Sequence, residues 1–208
     1  MDRRVVFASL RAGVAGLVVA AIIVQVATTV AEGTFDASRF FAFFTIQSNL
    51  FGAAVFFAVA IRWGSARSAR LEWLRGAAVV YLTVTFVVVI WLLSSADLQL
   101  AVPWVDIVLH KVFPVVVVVD WLVDPPTRRL TLRDVALWLA YPFVWVTLTL
   151  VRGALDGWYP YPFLDPANGG YGSVTFYFLA ILVGFLGIAT VTVALGDAVR
   201  RRRRRLGA

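Results

Sequence analysis

The stretch from Val102 to Asp120, VPWVDIVLHKVFPVVVVVD, decides how the rest of the chain is interpreted. It is apolar enough to lie in lipid, and yet it contains four ionisable residues, Asp106, His110, Lys111 and Asp120. A charged side chain inside a membrane is costly, so it is usually paired or functional. His110 is the only histidine of the chain, and histidine is the side chain best suited to proton transfer near neutral pH. We therefore expect chemistry around His110.

The composition is that of a polytopic membrane protein. Of the 208 residues, 61% are hydrophobic, and the mean hydropathy is +0.86. A soluble domain of this size does not bury so much apolar surface in one core. A membrane-spanning backbone must satisfy its own hydrogen bonds, and a run such as residues 115–119, VVVVV, lacks the alternation of a β-barrel strand. The predicted fold class is therefore all-α.

Six apolar segments predict six transmembrane helices of about 20 residues each. A single transmembrane domain covers residues 1–208, with approximate spans at 7–31, 40–61, 74–95, 103–123, 135–151 and 172–195 and a basic tail at 196–208. The first segment could instead be a cleaved signal peptide, but its apolar part is long for one.

The arginines predict the orientation. The chain has 19 Lys and Arg residues, of which one is Lys111 and the others are arginines. All the arginines except Arg39 and Arg152 lie at the N-terminal start, around the second and fourth loops or in the tail. The positive-inside rule then places both termini in the cytoplasm. The net charge of +7 therefore indicates orientation, and no nucleic-acid partner is expected. The run from Arg200 to Arg205 could bind anionic lipid headgroups, or it could be a topology anchor with a disordered end.

Cysteine is absent from the sequence, and only one histidine is present. Thiol catalysis, disulfides and thiolate metal sites are therefore excluded, and a zinc or di-iron site is not expected either. We expect no metal and no other cofactor.

The second segment carries a polar face. Thr45, Ser48, Asn49 and Gly52 recur at three and four residues and so share one side of a helix, whereas Gln47 points elsewhere. Lipid offers this face no partners, so it should lie inside the bundle. It could serve hydrogen bonding between helices, or it could be part of a site.

The fourth segment places Asp106 and His110 one helical turn apart. The carboxylate could fix the tautomer of the imidazole and leave the other ring nitrogen as a base, or the two could form a buried ion pair. At ~1.5 Å per residue, Thr45 and His110 both lie roughly 8–10 Å below the outer surface, so they can meet if their helices are neighbours. A hydroxyl beside an imidazole is an activated nucleophile, and Asn49 or Ser48 could then hold the oxyanion.

The other two charges of the fourth segment are expected elsewhere. Lys111 could pair with Asp97, Asp156 or Asp165, or extend outward to the interface. Asp120 lies near the inner boundary and is expected to meet an arginine of a loop.

Aromatic residues gather in the fifth loop and in the preceding segment. They predict an interfacial belt, or a lid over a lipid-facing pocket on the outer side. The candidate pocket and lid residues are Gln47, Lys111, Trp138, Tyr141, Trp145, Trp158, Tyr161, Phe163 and Asp165.

Three motifs, FFTIQSNL at 43–50, LHKVFP at 109–114 and WYPYPFLD at 158–165, give the chain a family resemblance. In their order and in the six-span layout it resembles the androgen-induced membrane proteins, including bacterial members, over nearly its whole length. Animal members are membrane-embedded hydrolases of fatty acid esters of hydroxy fatty acids, with a threonine nucleophile and a histidine. The resemblance implies that Thr45 and His110 match these two residues and that the protein lies in a bacterial plasma membrane. Gln47-Ser48-Asn49 looks like the bacterial pattern, so the substrate could differ, and Asp106 has no counterpart that carries over.

The sequence thus predicts a membrane-embedded hydrolase of a lipid-like ester, with membrane lipids as its surroundings. Two alternatives stay open. A proton-coupled transporter could use Asp106, His110, Lys111 and Asp120 as a relay, although the chain shows no internal repeat and no matching pair of broken helices. A lipid-binding membrane protein without turnover is the other alternative.

Overall fold

The computed structural model describes residues 3–62, 65–93 and 102–206. Over these ranges the chain is helical and contains no β-strand, in agreement with the predicted all-α class. Its elements are α1 (Arg3–Ala31), α2 (Ala37–Phe40), α3 (Phe44–Ile61), α4 (Ala69–Leu92), α5 (Pro103–Ile107), a π-helix (Val108–Val112), α6 (Phe113–Val123), α7 (Leu132–Asp156), two 3-10 helices (Pro162–Leu164 and Pro166–Asn168) and α8 (Gly170–Leu206).

Five of the described helices, namely α1, α3, α4, α7 and α8, are long and apolar enough to cross a membrane. The fourth predicted segment, residues 103–123, is helical throughout, but the π-helix divides it into three pieces, each shorter than a membrane span. The central element is α4, which contacts α3, α6 and α8, while α3 also packs against α1.

Local capping explains where several helices depart from the predicted bounds. The second one begins at Phe44 and not at Phe40, because α2 is a separate turn whose N-cap Asp36 accepts a hydrogen bond from the Arg39 N–H at 3.1 Å. The third begins early, at Ala69, because the Ser68 hydroxyl caps it. Its predicted end at Ser95 lies outside the described residues.

The two last helices are longer than predicted. A capping box between Thr131 and Asp134 starts α7 early, and Gly157, at a φ of 71°, ends it. At 37 residues, α8 runs through the arginine tail to Leu206 instead of ending in disorder. Its last part is joined to the protein where Asp197 meets Arg129 at 3.7 Å. At ~1.5 Å per residue the helix is about 55 Å long, well beyond the roughly 30 Å hydrocarbon layer.

Six charged side chains form an ion cluster at the end of the bundle away from the start of α3. Asp120 does meet arginines there, but they come from helices and not from a loop: Arg11 of α1 at 2.7 Å and Arg75 of α4 at 2.9 Å. Each buried charge has opposite partners, which offsets the cost of burying it and joins α1, α4 and α6. This six-residue ion cluster comprises Arg11, Arg67, Glu72, Arg75, Asp120 and Asp124.

Asp124, just past the end of α6, shows how this cluster stays charged. Burial raises the pKa of Asp124, but the hydrogen bond from Arg67 and the charge of Arg75 outweigh burial and bring that pKa to about 2. The carboxylate is therefore ionised at any physiological pH, and its contribution to folding would be lost only as the pH falls toward this value.

Candidate functional site

Thr45 lies in the first turn of α3, where backbone N–H groups have no partner within the helix. Its N–H donates to the hydroxyl of Tyr161 at 3.3 Å, and its own Oγ1 lies 3.2 Å from the same hydroxyl. Either hydroxyl could donate in this second contact; when Tyr161 donates, its hydrogen goes to Thr45 Oγ1. The Thr45 hydroxyl can then donate its own hydrogen to another acceptor.

Tyr161 belongs to the loop between α7 and α8 and is buried. Burial raises the pKa of its phenol, so the group keeps its proton at neutral pH and remains a hydrogen-bond donor.

His110 lies in the middle of the π-helix and is buried, with Nδ1 2.6 Å from Oδ1 of Asp106. A carboxylate accepts here, so Nδ1 carries the hydrogen and Nε2 is left as the basic nitrogen. The predicted pairing of Asp106 with His110 is therefore present.

Pro114 explains why the helix widens around His110. The N–H of Phe113 donates to the carbonyl of Val108, five residues back, which is the π-helical pattern. The carbonyl of Leu109 would need the next N–H along, but that residue is Pro114, which has none. Leu109 is instead met by Asn49 of α3, whose Nδ2 donates to its carbonyl at 3.2 Å.

Asn49 thereby links the segment that carries Thr45 to the segment that carries His110. Its Nδ2 also donates to the carbonyl of Thr45 at 2.8 Å, so one amide group holds the start of α3 against the residue before His110. Asn49 is fully buried, and both of its amide hydrogens are used by these carbonyls.

Thr45 and His110 line the same cavity, of about 310 Å³, which we call the polar cavity. Its walls come from α1, the loop around α2, the start of α3, the π-helix and the loop after α7. Among the described residues, Thr45 and His110 are not hydrogen-bonded to each other. A polar space of this size has room for water or a substrate group between them.

A second, apolar cavity of about 100 Å³ lies on the other side of Thr45. Its lining is aliphatic and aromatic and comes from α3, α4, α7, α8 and the loop after α7. Thr45 and Tyr161 line both cavities, so they form part of the wall between a polar and an apolar space.

Four of the six predicted pocket and lid aromatics border these cavities. Trp158 lines the polar cavity, Phe163 the apolar one, and Tyr161 is stacked on Phe163 with ring centroids 5.2 Å apart. Trp158 is held by guanidinium groups, with Arg39 at 5.4 Å and Arg152 at 5.2 Å from its ring. Trp145 also lines the apolar cavity and donates from Nε1 to the carbonyl of Ala42 at 2.9 Å.

The expected oxyanion donors Ser48 and Asn49 have other partners. Ser48 Oγ is 3.1 Å from the Thr45 carbonyl and 3.2 Å from Oγ1 of Thr85, and neither Ser48 nor Asn49 lines either cavity. Their contacts correspond to the alternative of hydrogen bonding within and between helices, and they leave no donor directed at a carbonyl beside Thr45.

Five further candidates also lie outside both cavities. Gln47 donates to the Phe41 carbonyl at 2.6 Å and accepts from the Tyr141 hydroxyl. Trp138 is fully buried and packs so tightly on Gly76 that a Cβ there would lie 2.4 Å from its ring. Asp165 caps a 3-10 helix by accepting from the Ala167 N–H at 2.9 Å. Lys111 is exposed, and one of its predicted partners, Asp97, lies outside the described residues.

Two residues of the site were missed or underrated by sequence reasoning. Gln25 lines the polar cavity, and a signal was available, because a lone amide in the apolar first segment should face the interior. Tyr161 was expected only as part of a lid, and nothing in its loop predicts a bond to Thr45. The four charges of the transporter alternative do not form one relay, because Asp106 pairs with His110 whereas Asp120 belongs to the six-residue ion cluster.

In the part of the chain that the structure describes, no group of three or more His, Asp or Glu residues could hold a metal ion. No protein-family model, no curated protein and no solved structure matches this chain. Its function therefore has to be inferred from the chemistry of the site.

Proposed function

We propose that the protein is a membrane-embedded hydrolase of a lipid-like ester, with Thr45 as nucleophile and His110 as general base. The observation that carries this proposal is that a threonine hydroxyl and the only imidazole of the chain, itself bonded to Asp106, line one cavity. The resemblance of three sequence motifs to the androgen-induced membrane proteins supports the same pair of residues.

In the proposed reaction, Nε2 of His110 takes the proton of the Thr45 hydroxyl, directly or through one water in the polar cavity. Thr45 Oγ1 attacks the ester carbonyl, and Asp106 stabilises the imidazolium that forms. The imidazolium then gives its proton to the departing alcohol, leaving an acyl group on Thr45. Water, deprotonated by the same imidazole, releases the acid and restores the threonine.

Tyr161 is the best-placed donor for the oxyanion, in place of Ser48 and Asn49. Its hydroxyl is protonated and lies 3.2 Å from the attacking oxygen. The first turn of α3 adds the positive end of a helix dipole near the same point.

The two cavities support an orientation for the substrate. Because Thr45 lines both, an ester bond placed at Thr45 would direct its acyl chain into the apolar cavity and its alcohol part into the polar one. A molecule with one apolar and one polar side around an ester fits this arrangement.

We also propose a topology of six spans with both termini in the cytoplasm of a bacterial cell and the protein in its plasma membrane. The helical stretch 103–123 has the roughly 20 residues that a sixth span needs, even though a π-helix interrupts it. The arginine distribution supports the orientation, and the run from Arg200 to Arg205 would meet anionic headgroups of the inner leaflet.

The proposal is tested by labelling the purified protein with a fluorophosphonate probe and by measuring nitrophenyl ester hydrolysis. We expect Thr45→Ala to abolish both, and Thr45→Ser to retain labelling because it keeps the hydroxyl. Thr175→Val is the matched control, since Thr175 is exposed on α8 and lines neither cavity. Labelling that persists unchanged in Thr45→Ala would exclude this nucleophile.

A further inference from the structure

Gln25 is a buried amide with an unused acceptor. It lies in the otherwise apolar α1, its side chain is only 2% exposed, and no donor among the described residues reaches its Oε1. A buried carbonyl oxygen without a partner costs free energy, which a ligand that donates a hydrogen bond recovers.

The position of Gln25 says which ligand could reach it, because Gln25 lines the polar cavity together with Thr45 and His110. One turn further along α1, Thr29 lines the same cavity. Its hydroxyl hydrogen goes to the carbonyls of Gln25 at 3.0 Å and Val26 at 3.1 Å, so its oxygen is left to accept. This wall of the cavity therefore presents two acceptors.

A carboxylate adds to the acceptor character of the cavity. Asp36 lines it, and hydrogen bonds from the Ser38 hydroxyl at 2.7 Å and the Arg39 N–H at 3.1 Å lower the pKa of Asp36, which stays ionised. Arg39 lines the cavity as well, but its charge is offset by Asp36 at 3.6 Å. The surroundings favour a neutral group that donates hydrogen bonds over an anion.

We propose that Gln25 and Thr29 form the subsite for the alcohol part of the substrate, and that this part carries a further hydroxyl group that donates to Oε1 of Gln25. The inference rests on the proposed hydrolase function and names its substrate class: long-chain monoesters of a glycol or glycerol type of alcohol. The acyl chain would occupy the apolar cavity, and the free hydroxyl would lie on the α1 side of the polar cavity.

Binding is tested without turnover by two ethers that cannot be hydrolysed, a long-chain 2-hydroxyethyl ether and the matching ethyl ether. Their affinities are measured on the full chain in nanodiscs, for the wild type and for Gln25→Leu. The ratio of the two affinities is compared between proteins, because the different partitioning of the ethers into lipid then cancels. We expect Gln25→Leu to lower the preference for the hydroxylated ether roughly two- to tenfold, the effect of one hydrogen bond.

Hydrolysis is tested in parallel with the 2-hydroxyethyl and ethyl esters of the same fatty acid. Gln25→Leu should lower kcat/KM for the hydroxylated ester and leave that for the ethyl ester nearly unchanged. Thr29→Val should act in the same direction, while Thr175→Val, which loses an equivalent hydroxyl-to-carbonyl bond on an exposed face, should not. Because the buried Oε1 of Gln25 has no partner and leucine is an apolar side chain of similar size, Gln25→Leu is expected to fold.

The outcomes separate this inference from the function on which it rests. If esters are cleaved in a Thr45-dependent way but Gln25→Leu leaves both ratios unchanged, the subsite is wrong and water alone satisfies Gln25. If the ether preference depends on Gln25 but no ester is cleaved, the hydrolase is wrong and the subsite stands as a binding site. Tighter binding of an anionic ether, with a terminal carboxylate, than of the hydroxylated one would also overturn the proposed class.

Discussion

At Thr45, one phenol oxygen contacts both the backbone and the side chain of the proposed nucleophile. Tyr161 accepts from the Thr45 N–H and lies within hydrogen-bonding distance of Thr45 Oγ1, on the boundary between two cavities. A protonated donor therefore lies beside the attacking oxygen, and the proposed reaction uses it for the oxyanion that forms on the ester carbonyl.

We predict that Tyr161→Phe lowers kcat for ester hydrolysis about 10²-fold, the usual loss when one oxyanion donor is removed. The ring contact with Phe163 would remain, but the buried N–H of Thr45 would lose its acceptor, so we also expect a loss of about 1–3 kcal/mol in the free energy of unfolding. Tyr159→Phe is the matched control, because Tyr159 lies in the same loop as Tyr161, packs against Gly153 of α7 and lines neither cavity. An unchanged kcat in Tyr161→Phe would show that Tyr161 only positions the loop.

At the residue scale, helical spacing was sufficient to pair Asp106 with His110, and the predicted depths suggested that Thr45 and His110, which line one cavity, could meet. They could not assign Tyr161, because its position depends on how an irregular loop folds back over α3. The same spacing correctly predicted that Ser48 and Asn49 are buried inside the bundle, but it did not predict their hydrogen-bond partners. The partner of a side-chain amide depends on which helices are its neighbours. The spacing of polar residues within one segment does not predict those neighbours.

At the element scale, the π-helix is the feature that brings His110 to the cavity. Two residues accompany it: Pro114, which lacks a backbone donor, and Asn49, which supplies a donor from another helix. Pro114 is visible in the sequence, but a proline inside a helix can produce either a kink or a π-helix. Only the contact from Asn49 of α3 distinguishes the π-helix from a kink.

Asn49→Ala tests the contact between α3 and the π-helix. It leaves the carbonyls of Thr45 and Leu109 without their amide partner, so we predict a loss of about 1–3 kcal/mol in the free energy of unfolding together with a fall in kcat. The comparison variant is Ser48→Ala, whose hydroxyl bonds within the same turn and to Thr85 but not to the π-helix. Stability and kcat are measured on both variants, and a kcat lowered no more by Asn49→Ala than by Ser48→Ala would contradict a role in positioning His110.

At the scale of the whole molecule, ion pairs lie at one end of the bundle and the cavities at the other. The six-residue ion cluster joins α1, α4 and α6 at one end, while the cavities lie at the other end, around the start of α3. Hydropathy, together with the need of a membrane-spanning backbone to satisfy its own hydrogen bonds, predicted the all-α class. The sequence did not predict that α8 continues to Leu206, because a run of arginines after a helix is compatible both with more helix and with a disordered tail.

The account depends most on Thr45 and His110 acting as one unit across two helices, and a double-mutant cycle tests this directly. We predict that Thr45→Ala and His110→Ala each remove nearly all of kcat/KM for a nitrophenyl ester, and that the double variant loses no more than either single one. Losses that multiply, or a single variant that keeps the wild-type rate, would contradict the shared mechanism.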